Sequence, residues 1–140
     1  MRTSTKQVIV RLIFMVLCFI PLVTHAQSFR LKAFGISYKV KDSWGGWSDW
    51  TDWKACNIDI SVNFNTHRIL IFSKETQDYA ISEMLPTARY DENGKSVVMR
   101  CVDDDGLICI LRLRSQYHPD MIQLYIEYSD MIWVYNVEEY

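Results

Sequence analysis

Apolar and polar residues alternate with a period of two through much of this chain. The clearest run is 58–64, where Ile58, Ile60, Val62 and Phe64 are separated by Asp59, Ser61 and Asn63. A strand sends successive side chains to opposite faces, so the pattern predicts one buried and one solvated face. Asn65-Thr66 predicts a turn, with 67–73 as its hairpin partner. Similar patterns predict strands over 29–40, 77–82, 96–102, 107–114, 121–128 and 131–137. In the last of these Met131, Trp133 and Tyr135 share one face and Ile132 and Val134 the other, which predicts a central or covered strand.

The punctuation agrees. Asn93-Gly94 predicts a hairpin because both residues tolerate positive φ. Asp103-Asp104-Asp105-Gly106 predicts another with Gly106 left-handed, and Ser129-Asp130 joins the last pair. No stretch of ten or more residues shows helical periodicity with caps; 78–85 has room for one turn. About eight strands with short connections predict an all-β domain, an up-and-down antiparallel meander forming a small barrel or a two-sheet sandwich.

The first 26 residues do not fit this pattern. Arg2, Lys6 and Arg11 precede or open the apolar run 12–20, Pro21 breaks any helix, and Thr24-His25-Ala26 supplies small residues where a signal peptidase cuts. The expected organisation is a signal peptide over 1–26 and one domain over 27–140, with a secreted or periplasmic address. The apolar run is short for a membrane span, and Cys18 follows Leu17 where lipid attachment needs a small residue. Stable membrane insertion after cleavage is therefore not expected.

Cleavage changes the charge. The whole chain has 15 basic and 17 acidic residues, and all three positive charges of the leader would leave with it. The resulting net negative domain is a poor partner for nucleic acid. Three cysteines remain, Cys56, Cys101 and Cys109. If Asp104-Asp105-Gly106 is a three-residue loop, Asp103 pairs with Leu107 and Cys101 stands opposite Cys109, at a separation a disulfide can span. Export makes this disulfide an expectation, with a bridge from Cys56 to either one as the alternative. Cys56 has the parity of Ile58 and Ile60, which predicts an inward thiol.

The most unusual segment holds Trp44, Trp47, Trp50 and Trp53, four indoles at a period of three. A strand would send them to alternate faces; only a three-fold backbone lines them along one edge. The run resembles the opening of thrombospondin type 1 repeats, in which arginines stack between the indoles, a part that Arg112 and Arg114 would take here. The likeness covers about ten residues and lacks that family's six-cysteine framework, so it is one of local physics and not of kinship. Exposed indoles offer a large rigid contact area for sugar rings or a protein. The competing expectation is that two fill the core and the others cover a strand edge.

Other chemistry is thin. Three aspartates before a glycine suggest calcium, but no distal bidentate acid follows at the required spacing. His67 and His118 belong to no zinc pattern, and nothing local pairs a base with Cys56. No metal, cofactor or catalytic residue is expected. Across Gly46-Trp47-Ser48-Asp49-Trp50, the turn after Cys101, Tyr128-Ser129-Asp130 and Trp133-Val134-Tyr135, the chain resembles short exported β proteins of unknown function from Bacteroides-type bacteria. That resemblance implies an address and no activity. The expected function is a non-catalytic binding or interaction module using Trp44, Trp47, Trp50 and Trp53 toward a protein or glycan. The alternative is a carrier holding a small apolar ligand inside a barrel, with an enzyme third.

Overall fold

The computed structural model describes residues 28–86, 89–91 and 93–139. The expected signal peptide lies outside the described residues. Nine antiparallel strands follow one another: β1 (Ser28–Val40), β2 (Lys54–Asn63), β3 (Arg68–Phe72), β4 (Thr76–Met84), β5 (Arg89–Asp91), β6 (Gly94–Val102), β7 (Ile108–Tyr117), β8 (Asp120–Glu127) and β9 (Met131–Glu139). Each neighbours the next in space except at β4, and β1 pairs with β9. A β4–β6 pairing then closes eight strands into a barrel, with three-residue β5 alongside the start of β6. The barrel is the first of the two architectures expected. The one helical turn allowed over 78–85 does not form, because β4 continues as strand to Met84.

Alternation fills the barrel. Ile60 and Val62 of β2, Ile69 and Ile71 of β3, and Leu111 and Leu113 of β7 are all buried, while Asp59 and Arg68 stay exposed. Fully burying one such aliphatic side chain stabilises by about 1.5–3 kcal/mol, so a one-residue slip of any strand would be strongly opposed.

One irregularity positions everything outside the barrel. The register of β1 shifts between Ala33 and Gly35 against both of its neighbours. Before the shift Leu31 and Ala33 are core residues; after it Ile36 pairs with Tyr135 and packs on the core. Gly35, Ser37 and Lys39 are thereby placed on the outer wall.

The turns carry two local results. The loop after β6 is the three-residue hairpin predicted: Asp103 N–H donates to Leu107 O at 2.9 Å, Gly106 N–H to Asp103 O at 3.0 Å, and Gly106 has φ +80°. The Asn-Gly signal marks a hairpin too, but the glycine's role differs. Gly94 pairs with Asp91 and opens β6, and a Cβ there would stand 2.0 Å from the Ser115 carbonyl oxygen. Close approach, and not positive φ, requires this glycine.

The expected disulfide is corrected. Cys101 and Cys109 are register partners on the inner face as anticipated, yet both are buried free thiols. The Cys101 thiol stands 4.0 Å from Met99 O of its own strand. Burial pushes Cys101 up to about 12, Cys109 adding to the rise. Cys56 is a half-buried free thiol that packs against the core.

Candidate functional site: an indole row on the outer wall

Between β1 and β2 the chain leaves the barrel and returns along its outside. Asp42 builds the first turn, its Oδ1 accepting the N–H groups of Trp44 at 2.9 Å and Gly46 at 2.8 Å, with Gly45 at φ +85°. From Trp47 onward the segment lies beside the second half of β1, where β2 would otherwise pair. Ser48 N–H donates to Val40 O at 2.8 Å and Thr51 N–H to Tyr38 O at 2.9 Å. In return the N–H groups of Val40 and Tyr38 donate to the Ser48 and Thr51 hydroxyls, each at 3.0 Å. Ser37 Oγ donates to Thr51 O at 2.7 Å. Side-chain hydroxyls thus do part of the work of a ladder, and the held residues are three apart.

The indoles repeat on the same period, one residue earlier. The outer wall beneath them is a grid of cross-strand neighbours: Gly35–Asn136–Gln123, Ser37–Val134–Tyr125 and Lys39–Ile132–Glu127. Trp53 lies over the first row, its Cε3 3.5 Å from where a Cβ on Gly35 would be. Trp50 reaches the second row and meets Tyr125 edge-on, with centroids 6.3 Å apart. Over the third row, the Lys39 ammonium stands 5.3 Å from the Trp47 ring and 4.8 Å from that of Trp50. Lys41 adds a second cation 5.5 Å from Trp47. Such contacts contribute about 0.5–1 kcal/mol each at exposed sites.

Three of the four indoles therefore form the row that the period of three predicts, while Trp44 stands on the preceding turn. The expectation that two would fill the core is overturned: Trp44 is 94% exposed, Trp53 49%, Trp50 42% and Trp47 40%. The core indole is Trp133, which packs against the barrel interior. The partners differ from those expected as well. Lys39 and Lys41 stand over the indoles, whereas Arg112 lies over Tyr125, 5.5 Å from its centroid, and is ion-paired with Glu127. That carboxylate holds the Arg112 guanidinium above its ordinary value. Val134, although outward, is only 2% exposed beneath this cover. The last strand, expected to be central or covered, lies between β1 and β8 with its outer face under this cover.

A second constellation sits at the barrel mouth where the turns after β3, β6 and β8 meet. Gln77 donates to Ser73 Oγ at 3.0 Å and to the Tyr135 hydroxyl at 3.4 Å, and receives the Tyr79 hydroxyl at 2.7 Å. Beside it the Tyr128 hydroxyl donates to Asp103 Oδ2 at 2.6 Å, and Tyr128 stacks on Trp133 at 5.5 Å and 19°. Burial pushes the Tyr79 and Tyr128 phenols well above their ordinary value. The Tyr128 hydrogen bond holds the Asp103 carboxyl below its own, helped by the N–H groups of Leu107 and Asp105 against the effect of burial.

The histidines are elsewhere. His67, at φ +56°, closes the turn before β3, and exposed His118 forms the turn before β8. Strand direction puts both at the opposite end from Cys56, and among the described residues no carboxylate or thiol bonds either imidazole. No group of three His, Cys, Asp or Glu among the described residues is placed to hold a metal ion.

No protein-family model matches the chain, and no similar curated protein or solved structure is found.

Proposed function

We propose that this protein is an exported, non-catalytic interaction module whose contact surface is the indole row of Trp47, Trp50 and Trp53, with Trp44 at its tip. The observation that carries the reading is that all four indoles lie outside the core, each at least 40% exposed, although the barrel buries a full apolar interior without them. Exposing this much aromatic surface is unfavourable in water unless something covers it. Rigid indoles held by backbone hydrogen bonds lose little conformational freedom on contact, which suits a protein or glycan partner. The leader-like composition of residues 1–26 supports the exported part of this reading.

The test begins with acrylamide quenching of the mature protein and of single Trp→Phe variants at 44, 47, 50 and 53. The four outer indoles are expected to quench more readily than half-buried Trp133. A glycan and protein-partner screen then follows, with the Trp47→Ala/Trp50→Ala double variant as control. A partner that binds the parent and loses at least tenfold affinity for the variant, with the barrel still folded, supports the module. Shielded indoles, or partners indifferent to the double substitution, remove the basis for it.

The carrier reading has less support. Leu31, Ile60, Ile71, Leu111, Leu124 and Tyr135 are each under 2% exposed and occupy the space an apolar ligand would need.

A further inference from the structure

The mouth of the barrel holds a cleft of about 320 Å³, distinct from the indole row on the outer wall. One wall is the stacked pair Tyr128 and Trp133, and Gln77 with nearly buried Tyr79 forms the floor. Two different hairpins supply the carboxylates of the rim: Glu75 and Asp78 from one, Asp103, Asp104 and Asp105 from the other. Among the described residues no lysine or arginine lines it. The carboxylates alone would say little, since acidic turns are common on surfaces. An aromatic wall and a polar floor enclosed with them are more informative.

The hydrogen-bond inventory sets the sign of the ligand. Most side-chain donors inside are committed: Tyr128 to Asp103, Tyr79 to Gln77, the Gln77 amide to Ser73 and Tyr135, and the Trp133 indole to Tyr135. The Thr76 hydroxyl can accept as well as donate. Asp78 is held by Arg68 at 2.6 Å. Glu75, Asp104 and Asp105 have no ion-pair partner among the described residues. What remains open is a set of acceptors beside two π-systems, a surroundings that favours a cation bearing N–H groups. A metal ion is a poor candidate, because among the described residues no three of these carboxylates converge on one point. Charge spread across a cleft suits a charge spread along a molecule. The volume is at the lower end for small-molecule sites, roughly 300–1,000 Å³, which fits a short alkyl chain and not a lipid.

We infer that this cleft binds a small organic cation of the alkyl-diamine or polyamine class, its methylene chain against Tyr128 and Trp133 and its ammonium groups on carboxylates of the two hairpins. The net negative charge of the leaderless chain adds steering toward such a ligand. This inference does not depend on the indole row, and its test leaves that row unaltered.

The test is titration of the mature protein with spermidine, followed by calorimetry and by tryptophan fluorescence. Saturable binding at one site is expected, with a fluorescence change that disappears in Trp133→Phe while the calorimetric signal persists. The exposed triple variant Glu75→Gln/Asp104→Asn/Asp105→Asn should bind at least tenfold more weakly with an unchanged melting curve. Magnesium at matched ionic strength should compete no better than sodium. Three results would overturn the inference: no saturable binding at millimolar spermidine, equal binding by the triple variant, or full displacement by magnesium, which marks a diffuse counter-ion effect.

Discussion

The Tyr128 hydroxyl donates a 2.6 Å hydrogen bond to Oδ2 of Asp103, fastening the turn after β8 to the turn after β6. The other oxygen of that carboxylate accepts the N–H groups of Asp105 and Leu107, each at 2.9 Å. One ionised side chain therefore organises its own loop and holds a neighbouring one.

Removing the phenol hydroxyl isolates that link. Tyr128→Phe keeps the stack on Trp133 and is expected to cost about 1–2 kcal/mol near neutral pH, the usual range for a hydrogen bond to a charged group with some solvent access. The sign with pH follows from the lowered carboxyl. Its contribution is complete above the ordinary value of 3.8 and is lost as the pH falls through the lower folded-state value. Urea denaturation of both proteins should show a gap at neutrality that narrows well below pH 3.8. A gap of constant size would mean that the ionised carboxylate is not what the hydroxyl serves.

Thr51 is the strongest fastening of the indole segment, accepting from Tyr38 N–H and meeting Ser37 through both its hydroxyl and its carbonyl. Thr51→Val keeps the shape and removes the hydroxyl. A loss of about 1 kcal/mol is expected, together with easier acrylamide quenching of the outer indoles. Quenching identical to the parent would show that the backbone bonds alone hold the row.

Gly94 tolerates no side chain. Gly94→Ala would drive a Cβ into the Ser115 carbonyl at 2.0 Å, where neither backbone can yield without breaking the β6–β7 ladder. A loss of about 3 kcal/mol or more is expected, and chemical denaturation measures it. Gly106→Ala makes the comparison, since nothing lies within 4 Å there and only its φ of +80° is strained. Equal costs would argue against the close approach.

The three thiols should separate kinetically. Burial raises all three, and Cys101 as far as about 12, which leaves almost no thiolate at mildly alkaline pH. Titration with an aromatic disulfide reagent should label Cys56 first and the other two only as the barrel unfolds. Rapid labelling of all three would contradict the buried positions of Cys101 and Cys109.

Much of the barrel is legible in the sequence because its pairings are local. The alternation at 58–64 and the turn chemistry at Asn65, Gly106 and Ser129 specify hairpins one after another, and short connections leave a meander as the simplest result. The closing β4–β6 seam is not local, and nothing in either strand names its partner. The register shift in β1 is equally hidden, since Leu31 and Ala33 on one phase and Ile36 on the other are all acceptable core residues. That shift decides that Lys39 faces the indoles, which is why the sequence pointed to Arg112 and Arg114 instead. The three-fold row had a second signal in the sequence: Ser48 and Thr51 repeat in step with Trp47 and Trp50. The cleft was hidden because its walls come from three hairpins; the hint was Gln77, Tyr79 and Tyr128, polar-tipped residues at inward parity.

The segment beside β1 reads its triplets in two registers at once, hydroxyls toward the strand and indoles along the other edge. Its length is therefore quantised. Inserting one whole triplet would add a rung and leave every existing ring above its own row of the wall. Inserting one or two residues would rotate the rings by a third or two thirds of a turn and present a hydroxyl where an indole had been. Among proteins built on this plan, loops of different reach should differ by multiples of three.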